Sequence, residues 1–195
     1  MNYYFDDKLK TITDSVDSMD LSVFDELLRQ CHDIIQNGGK LIFSGLGKNV
    51  PICEKIVGTM NSLGIQANFL HTNTAMHGDL GMIQDKDLVV VLSKSGNTAE
   101  SILLLNYLRM HKKANVWGFT FNDKSKMAQL LPMRCLTLVL KNEGDNWDIV
   151  PNNSSSVYLI VLQGLALQLA DKLGINLEDF KVNHPGGAIG DKLRG

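Results

Sequence analysis

The stretch Asp87 to Ser93, DLVVVLS, is short, rich in β-branched residues and apolar without alternation. A strand with one wet face alternates apolar and polar residues, so an unbroken run reads as a strand covered on both faces. That implies parallel pairing inside a sheet with helices on each side. The flanking segments repeat the strand, turn and helix rhythm such a sheet needs. Residues 40–44 (KLIFS) form an apolar run leading into Gly45-Leu46-Gly47-Lys48, and 66–71, 115–121 and 135–140 supply three further strands. Helical spacing of apolar residues occupies 21–36, 52–63, 98–111 and 154–173. In the first of these, Leu21, Phe24, Leu27, Leu28, Cys31, Ile34 and Ile35 recur every three or four residues until Asn37-Gly38-Gly39 stops the pattern. Five strands alternating with helices predict an α/β fold, an open five-stranded parallel sheet flanked by helices in a flavodoxin-like doubly wound sandwich. One domain is expected over 1–195, opened by a helical segment at about 1–37, with ligands bound at the carboxyl ends of the strands. Residues 184–190 read as loop.

Nineteen basic against twenty-one acidic residues give a formal charge of −2, so no global field concentrates nucleic acid or an anionic membrane. Neither is expected as a partner, and a phosphate ligand requires a local site. Cys31, Cys53 and Cys135 lie in apolar stretches without metal-ligand or redox spacing, which fits a reducing, cytoplasmic setting. The first twenty residues contain no apolar signal region, and no stretch has the ~18 to 20 uninterrupted apolar residues of a bilayer span.

Four loops carry the chemistry. In Ser44-Gly45-Leu46-Gly47-Lys48-Asn49 two glycines let backbone amides approach a ligand ahead of a helix N-terminus. It is neither a Walker loop nor a full GxGxxG fingerprint, since Val50 stands at the third glycine position; a plain tight turn before a packed helix is an equal reading. Ser93-Lys94-Ser95-Gly96-Asn97-Thr98 is more specific. It leaves the most apolar strand and enters a helix, and a helix cap needs one hydroxyl where this loop offers three. Phosphate binding explains the excess. Met76-His77-Gly78-Asp79 and His184-Pro185-Gly186-Gly187 each place an imidazole in a turn-rich setting; for the first a structural or surface histidine is the more ordinary reading, and for the second a surface turn is an equal one. Glu100, just inside the helix after the phosphate loop, and Glu143, in the polar segment after the last strand, complete the candidates; solvated carboxylates are their bland counterpart.

Together SGLGKN, HGDLGMI, SKSGNTAE and HPGGAIG, in this order and spacing from about Gly45 to Leu193, resemble the sugar isomerase (SIS) fold family, in particular the D-arabinose 5-phosphate isomerases of the Kdo pathway. The resemblance implies interconversion of D-ribulose 5-phosphate and D-arabinose 5-phosphate through an enediol, feeding Kdo synthesis for lipopolysaccharide or capsule. It implies catalytic roles for Lys48, Glu100, Glu143 (eight residues before Pro151) and His184. Binding roles fall to Ser44, Gly45, Gly47, Asn49, His77, Ser93, Ser95, Gly96, Asn97 and Thr98. His77 matches an active-site histidine that in relatives can contact an inhibitory metal; no resident metal and no cofactor are implied. A homotetramer, or at least a dimer, is implied, with active sites at subunit interfaces and His184 a candidate for the residue contributed by a neighbour. No paired CBS modules are expected, and feedback, if present, is expected at the sugar site from a later pathway metabolite such as CMP-Kdo. The sequence departs from the family pattern at Asn49, Lys94 and Asn97, where Ser, Asn and Glu are common, and at Gly144 to Val150, which replaces Ala-Cys-Pro-Leu-Gly-Leu-Ala. Two rival readings stand beside this one: an isomerase of a hexulose 6-phosphate or heptulose 7-phosphate, and a non-catalytic SIS sensor of sugar phosphates.

Overall fold

The computed structural model describes residues 3–194. Two helices, α1 (Tyr3–Asp17) and α2 (Leu21–Gln36), precede a series of strand and helix units. These are β1 (Leu41–Gly45), α3 (Asn49–Ser62), β2 (Ala67–His71) and the short α4 (Thr72–Ala75), followed by a 3-10 turn, Asp79–Met82. Then come β3 (Leu88–Leu92), α5 (Ala99–His111), β4 (Asn115–Thr120), α6 (Lys126–Leu130) and β5 (Cys135–Thr137). The long α7 (Asn153–Leu173), α8 (Leu177–Val182) and α9 (Gly187–Arg194) close the chain. The strands form one parallel sheet in the order β2-β1-β3-β4-β5, the doubly wound arrangement expected from the apolar runs.

β3 is buried at all five positions. Its residues divide by parity: Leu88, Val90 and Leu92 join the core under α2, α3 and α7, while Val89 and Val91 join the core under α5 and α6. Each face of the strand therefore requires its own helical layer. The chain runs from β1 to its neighbour β2 by way of α3, then crosses to the other side of β1 to form β3. The connections leaving the carboxyl ends of β1 and β3 consequently diverge to opposite faces, and a crevice opens between them.

The sequence boundaries hold for α2 and shift by a residue or two for most other elements. The opening segment, expected to be helical, forms α1, where Thr11, Ile12 and Ser15 supply a buried stripe against α7. Two differences are larger. The last strand shortens to Cys135–Thr137, since β5 pairs on one side only, with β4. Residues 184–190 are not all loop: α9 starts at Gly187, and a Cβ on Gly190 would lie 2.6 Å from the His184 carbonyl oxygen, so the glycines allow this helix to close on its own turn. Among the described residues α7 is long and apolar enough to cross a bilayer by length and composition. Here it is a core helix, with Val157, Tyr158, Val161, Leu162 and Leu165 buried and the Tyr158 hydroxyl donating to the Phe119 carbonyl at 3.0 Å.

At the amino edge of the sheet the fully buried Asp87 joins β1 to β3. Its carboxylate accepts from the Lys40 ammonium at 2.6 Å, the Lys40 amide at 3.1 Å and the Gln84 amide at 2.7 Å. Asp87→Ala strands a largely buried ammonium and two amides, and is expected to cost about 3–5 kcal/mol in urea unfolding. Arg29→Ala, which breaks only exposed pairs with Glu26 and Asp33, is expected to cost under about 1 kcal/mol in the same measurement.

Candidate functional site

The carboxyl edge of β1 is built for close approach. A Cβ on Gly45 would sit 2.7 Å from the Asn49 Cβ, so glycine lets the first turn of α3 come down onto the strand end. The Asn49 side chain donates to the Leu92 carbonyl at 3.2 Å and ties α3 to the end of β3. Ser44 is fully buried, its hydroxyl 3.0 Å from that of Thr72. Of this loop's predicted residues, Ser44, Gly45 and Asn49 thus shape the crevice, while Lys48 stands exposed at the N-terminus of α3 with its ammonium unpaired.

The loop leaving β3 is braced more heavily. Gly96 has φ +61°, and a Cβ there would fall 2.3 Å from the Ser125 Oγ, so a side chain is excluded both by conformation and by space. Ser95 Oγ accepts from the Asn97 amide at 3.2 Å, and Asn97 Oδ1 accepts from the Lys126 amide at 2.9 Å, fastening the loop to α6. Thr98 occupies the cap position of α5, yet its hydroxyl pairs with Ser93 at 3.0 Å rather than capping the helix. The first amides of α5 are left without a side-chain acceptor, which is the arrangement that receives an anion.

Opposite these two loops lies Glu143, whose side chain has 0% exposure. Its carboxylate accepts from the Asn152 amide (2.9 Å), the Ser154 amide (2.9 Å) and the Ser154 hydroxyl (2.6 Å), and pairs with the Lys94 ammonium at 2.6 Å. Glu143 therefore caps the N-terminus of α7 from a distance and anchors the loop after β3 through Lys94. Burial pushes its carboxyl up, but the Lys94 ammonium, the Ser154 hydroxyl and the two amides outweigh this and hold it below the ordinary value of 4.5. Residues 144–150, which replace the family's apolar segment, wrap around Asp145: its carboxylate accepts from the amides of Trp147, Ile149 and Val150. The loop turns Trp147 outward, 75% exposed.

A cavity of about 310 Å³ lies between these segments. It is lined by Gly47, Lys48 and Asn49 from the first loop, by Ser93, Lys94, Ser95, Thr98 and Ser101 from the second, and by Pro151 and Ser154 from the third. Glu143 lies directly behind Lys94 and Ser154. Lys94, Ser101 and Ser154 escaped the sequence reading; Ser154 could have been found as a hydroxyl at the start of α7, whereas nothing local marks Ser101. The structure does not gather every predicted residue. Glu100 sits in the first turn of α5 but is exposed and unpartnered, and His77 is exposed in the connection leaving β2. His184 is a clear separation: its Nε2 lies 2.9 Å from Ser62 Oγ at the far end of α3 and its ring stacks on Phe180. The length of α3 puts that position about 20 Å from Lys48, at the amino edge of the sheet. Within one chain His184 therefore cannot act in this cavity.

Folding lowers the Glu143 value, so this group adds stability that is fully present above its unfolded value near 4.5 and is lost as pH falls through its lower folded value. The protein is expected to weaken below about pH 4.5 for this reason. Lys94→Met removes one charged donor from a half-exposed pair and should cost about 1–2 kcal/mol at neutral pH while flattening that acid loss, read by urea unfolding at about pH 7 and pH 4.

Comparison with known proteins places this geometry. Residues 34–170 match the SIS domain family. The arabinose 5-phosphate isomerase KdsD of Pseudomonas aeruginosa is 33% identical over 180 residues, 92% of this chain and 55% of that protein. Its namesake in Yersinia pestis is 33% identical over 175 residues, 90% of this chain and 53% of that protein. The chain thus spans about half the length of the curated relatives it matches. A solved structure from Escherichia coli CFT073, in complex with arabinose 5-phosphate, is 32% identical, with TM-score 0.84 and coverage of 93% of this chain and 94% of that one. On its fold, its loop architecture and these matches, the chain belongs to the SIS domain family.

Proposed function

We propose that this chain is a sugar-phosphate isomerase that interconverts D-ribulose 5-phosphate and D-arabinose 5-phosphate. The observation that carries the reading is one cavity faced by the hydroxyls of Ser93, Ser95 and Thr98, the uncapped start of α5 and the free ammonium of Lys48. The phosphate ester sits on the α5 loop, and the sugar extends toward Lys48 and the Glu143 side. A solved relative of nearly the same length holds arabinose 5-phosphate, which supports the pentose over hexulose or heptulose phosphates and over a sensor.

The reaction is an internal redox exchange: a base removes the proton from C1 of the ketose, the enediol forms, and the proton returns to C2 while the oxygens exchange theirs. Lys48 stabilises the enediolate charge. Glu143 has its oxygens engaged by Lys94, Asn152 and Ser154, which hold its carboxyl below the ordinary value, so it serves as orienter and countercharge. The imidazole of His184 then supplies the proton acceptor, from a neighbouring subunit, since its own chain keeps it at the opposite edge. Glu100, exposed near the phosphate loop, orients substrate or neighbour from outside the cavity. The implied assembly is a homotetramer, or at minimum a dimer, with composite sites. Its setting is the cytoplasm and its product the precursor of Kdo for lipopolysaccharide or capsule, with CMP-Kdo the candidate feedback ligand at the same site.

Purified protein is expected to convert D-ribulose 5-phosphate to D-arabinose 5-phosphate, faster than any hexulose 6-phosphate or heptulose 7-phosphate in a parallel panel. Lys48→Met should lower kcat on the order of 100-fold; binding without turnover of any of these sugars would favour the sensor. Lys48→Met and His184→Ala subunits, each nearly inactive alone, should regain activity when mixed and reassembled, because one kind of interface then carries both intact groups. No recovery on mixing would place His184 outside the site.

A further inference from the structure

Ser101 lies outside the loop that the sequence marks for phosphate, three positions past its last residue, Thr98. It stands on the inner side of the first turn of α5, 1% exposed, and its hydroxyl has no hydrogen-bond partner. The ordinary outlet for a helical serine is the carbonyl four residues back. For Ser101 that carbonyl belongs to Asn97, in the loop ahead of the helix, and no such bond forms. A buried hydroxyl without a partner is disfavoured, and native proteins rarely keep one without a use. Ser15 on α1 is in the same condition but does not line the crevice, whereas Ser101 does, beside Ser93, Ser95 and Thr98.

The hydroxyls around it have limited capacity left. Ser93 and Thr98 bond to one another, so that pair keeps one free proton. Ser95 accepts from the Asn97 amide and keeps its proton for a ligand. A phosphate ester at this helix start presents more acceptor positions than these two protons and the terminal amides fill. We infer that Ser101 is a further substrate-binding residue, its hydroxyl donating to the phosphate ester held at the start of α5. This rests on the reading of that loop as the phosphate site. Ser101 then adds affinity for the anionic end of any ligand and does not take part in proton transfer at the sugar carbons.

The test is Ser101→Ala, with Ser101→Cys as a near-isosteric companion that keeps only a weak donor. Inorganic phosphate is the probe, titrated by NMR and as a competitive inhibitor, alongside KM and kcat for D-ribulose 5-phosphate and the thermal midpoint. The expected result for Ser101→Ala is about a tenfold rise in the phosphate Kd and in KM, with kcat within about twofold and no loss of thermal midpoint. Ser101→Cys should fall between the two. Phosphate affinity equal to wild type in both variants would overturn the inference even with full turnover. Conversely, a wild type that binds phosphate with the expected Ser101 dependence but converts no pentose phosphate would remove the isomerase reading and leave this one standing.

Discussion

A strand with no wet face cannot be stable without a helical layer on each side, and β3 is such a strand. Its odd and even residues enter two separate cores, so the chain must send α3 and α7 to one face and α5 and α6 to the other. With β1 and β3 adjacent and their following helices diverging, the crevice at their carboxyl ends is a consequence of satisfying the core rather than an addition to it. The hydroxyl-rich loop lies there because β3 ends there. Gly45 and Gly96 mark where backbones approach too closely for a side chain.

Charge inside that crevice is arranged by burial. Glu143 is wholly removed from water, and such a carboxylate persists as an anion only when its oxygens are engaged. Two amides at the start of α7, the Ser154 hydroxyl and the Lys94 ammonium engage them. The Lys94 pair fastens the loop after β3 to the segment before α7, and the other three bonds tie that segment to the start of α7, so the third wall of the cavity is positioned by electrostatics where the other two are positioned by the sheet. Lys94 is neutralised by this pairing, whereas Lys48 is not, which leaves one free ammonium facing the cavity among the described residues.

Within the described residues one chain does not bring all of its candidate residues to the cavity. The turn bearing His184 packs against the end of α3, held by Ser62, Phe180 and the closing helix α9. Glu100 and His77 also face outward. The proposed composite site would give these residues a neighbouring copy to meet, and the outward-turned Trp147 stands in the loop adjoining the cavity's third wall.

Much of this was legible in the order of residues. Parity-free burial of DLVVVLS announces a two-faced strand, the three-and-four spacing of 21–36 gives α2 its observed limits, and Ser93 to Thr98 carries more hydroxyls than capping explains. These are local properties, because period, turn chemistry and helix-start composition act within a few residues. What the sequence could not supply is long-range. The opening helix is expected, but not that its narrow buried stripe meets α7. Lys94 reads as a departure from pattern until it meets Glu143 across nearly fifty residues of chain, and Ser101 reads as an ordinary helical serine until the packing buries it with nothing to bind. The sequence by itself determined the sheet, its winding and the hydroxyl-rich loop after β3. Only the tertiary structure decided which charges meet and which hydroxyl is left unpaired, and that His184 stands apart, because burial and pairing are properties of space shared by distant segments.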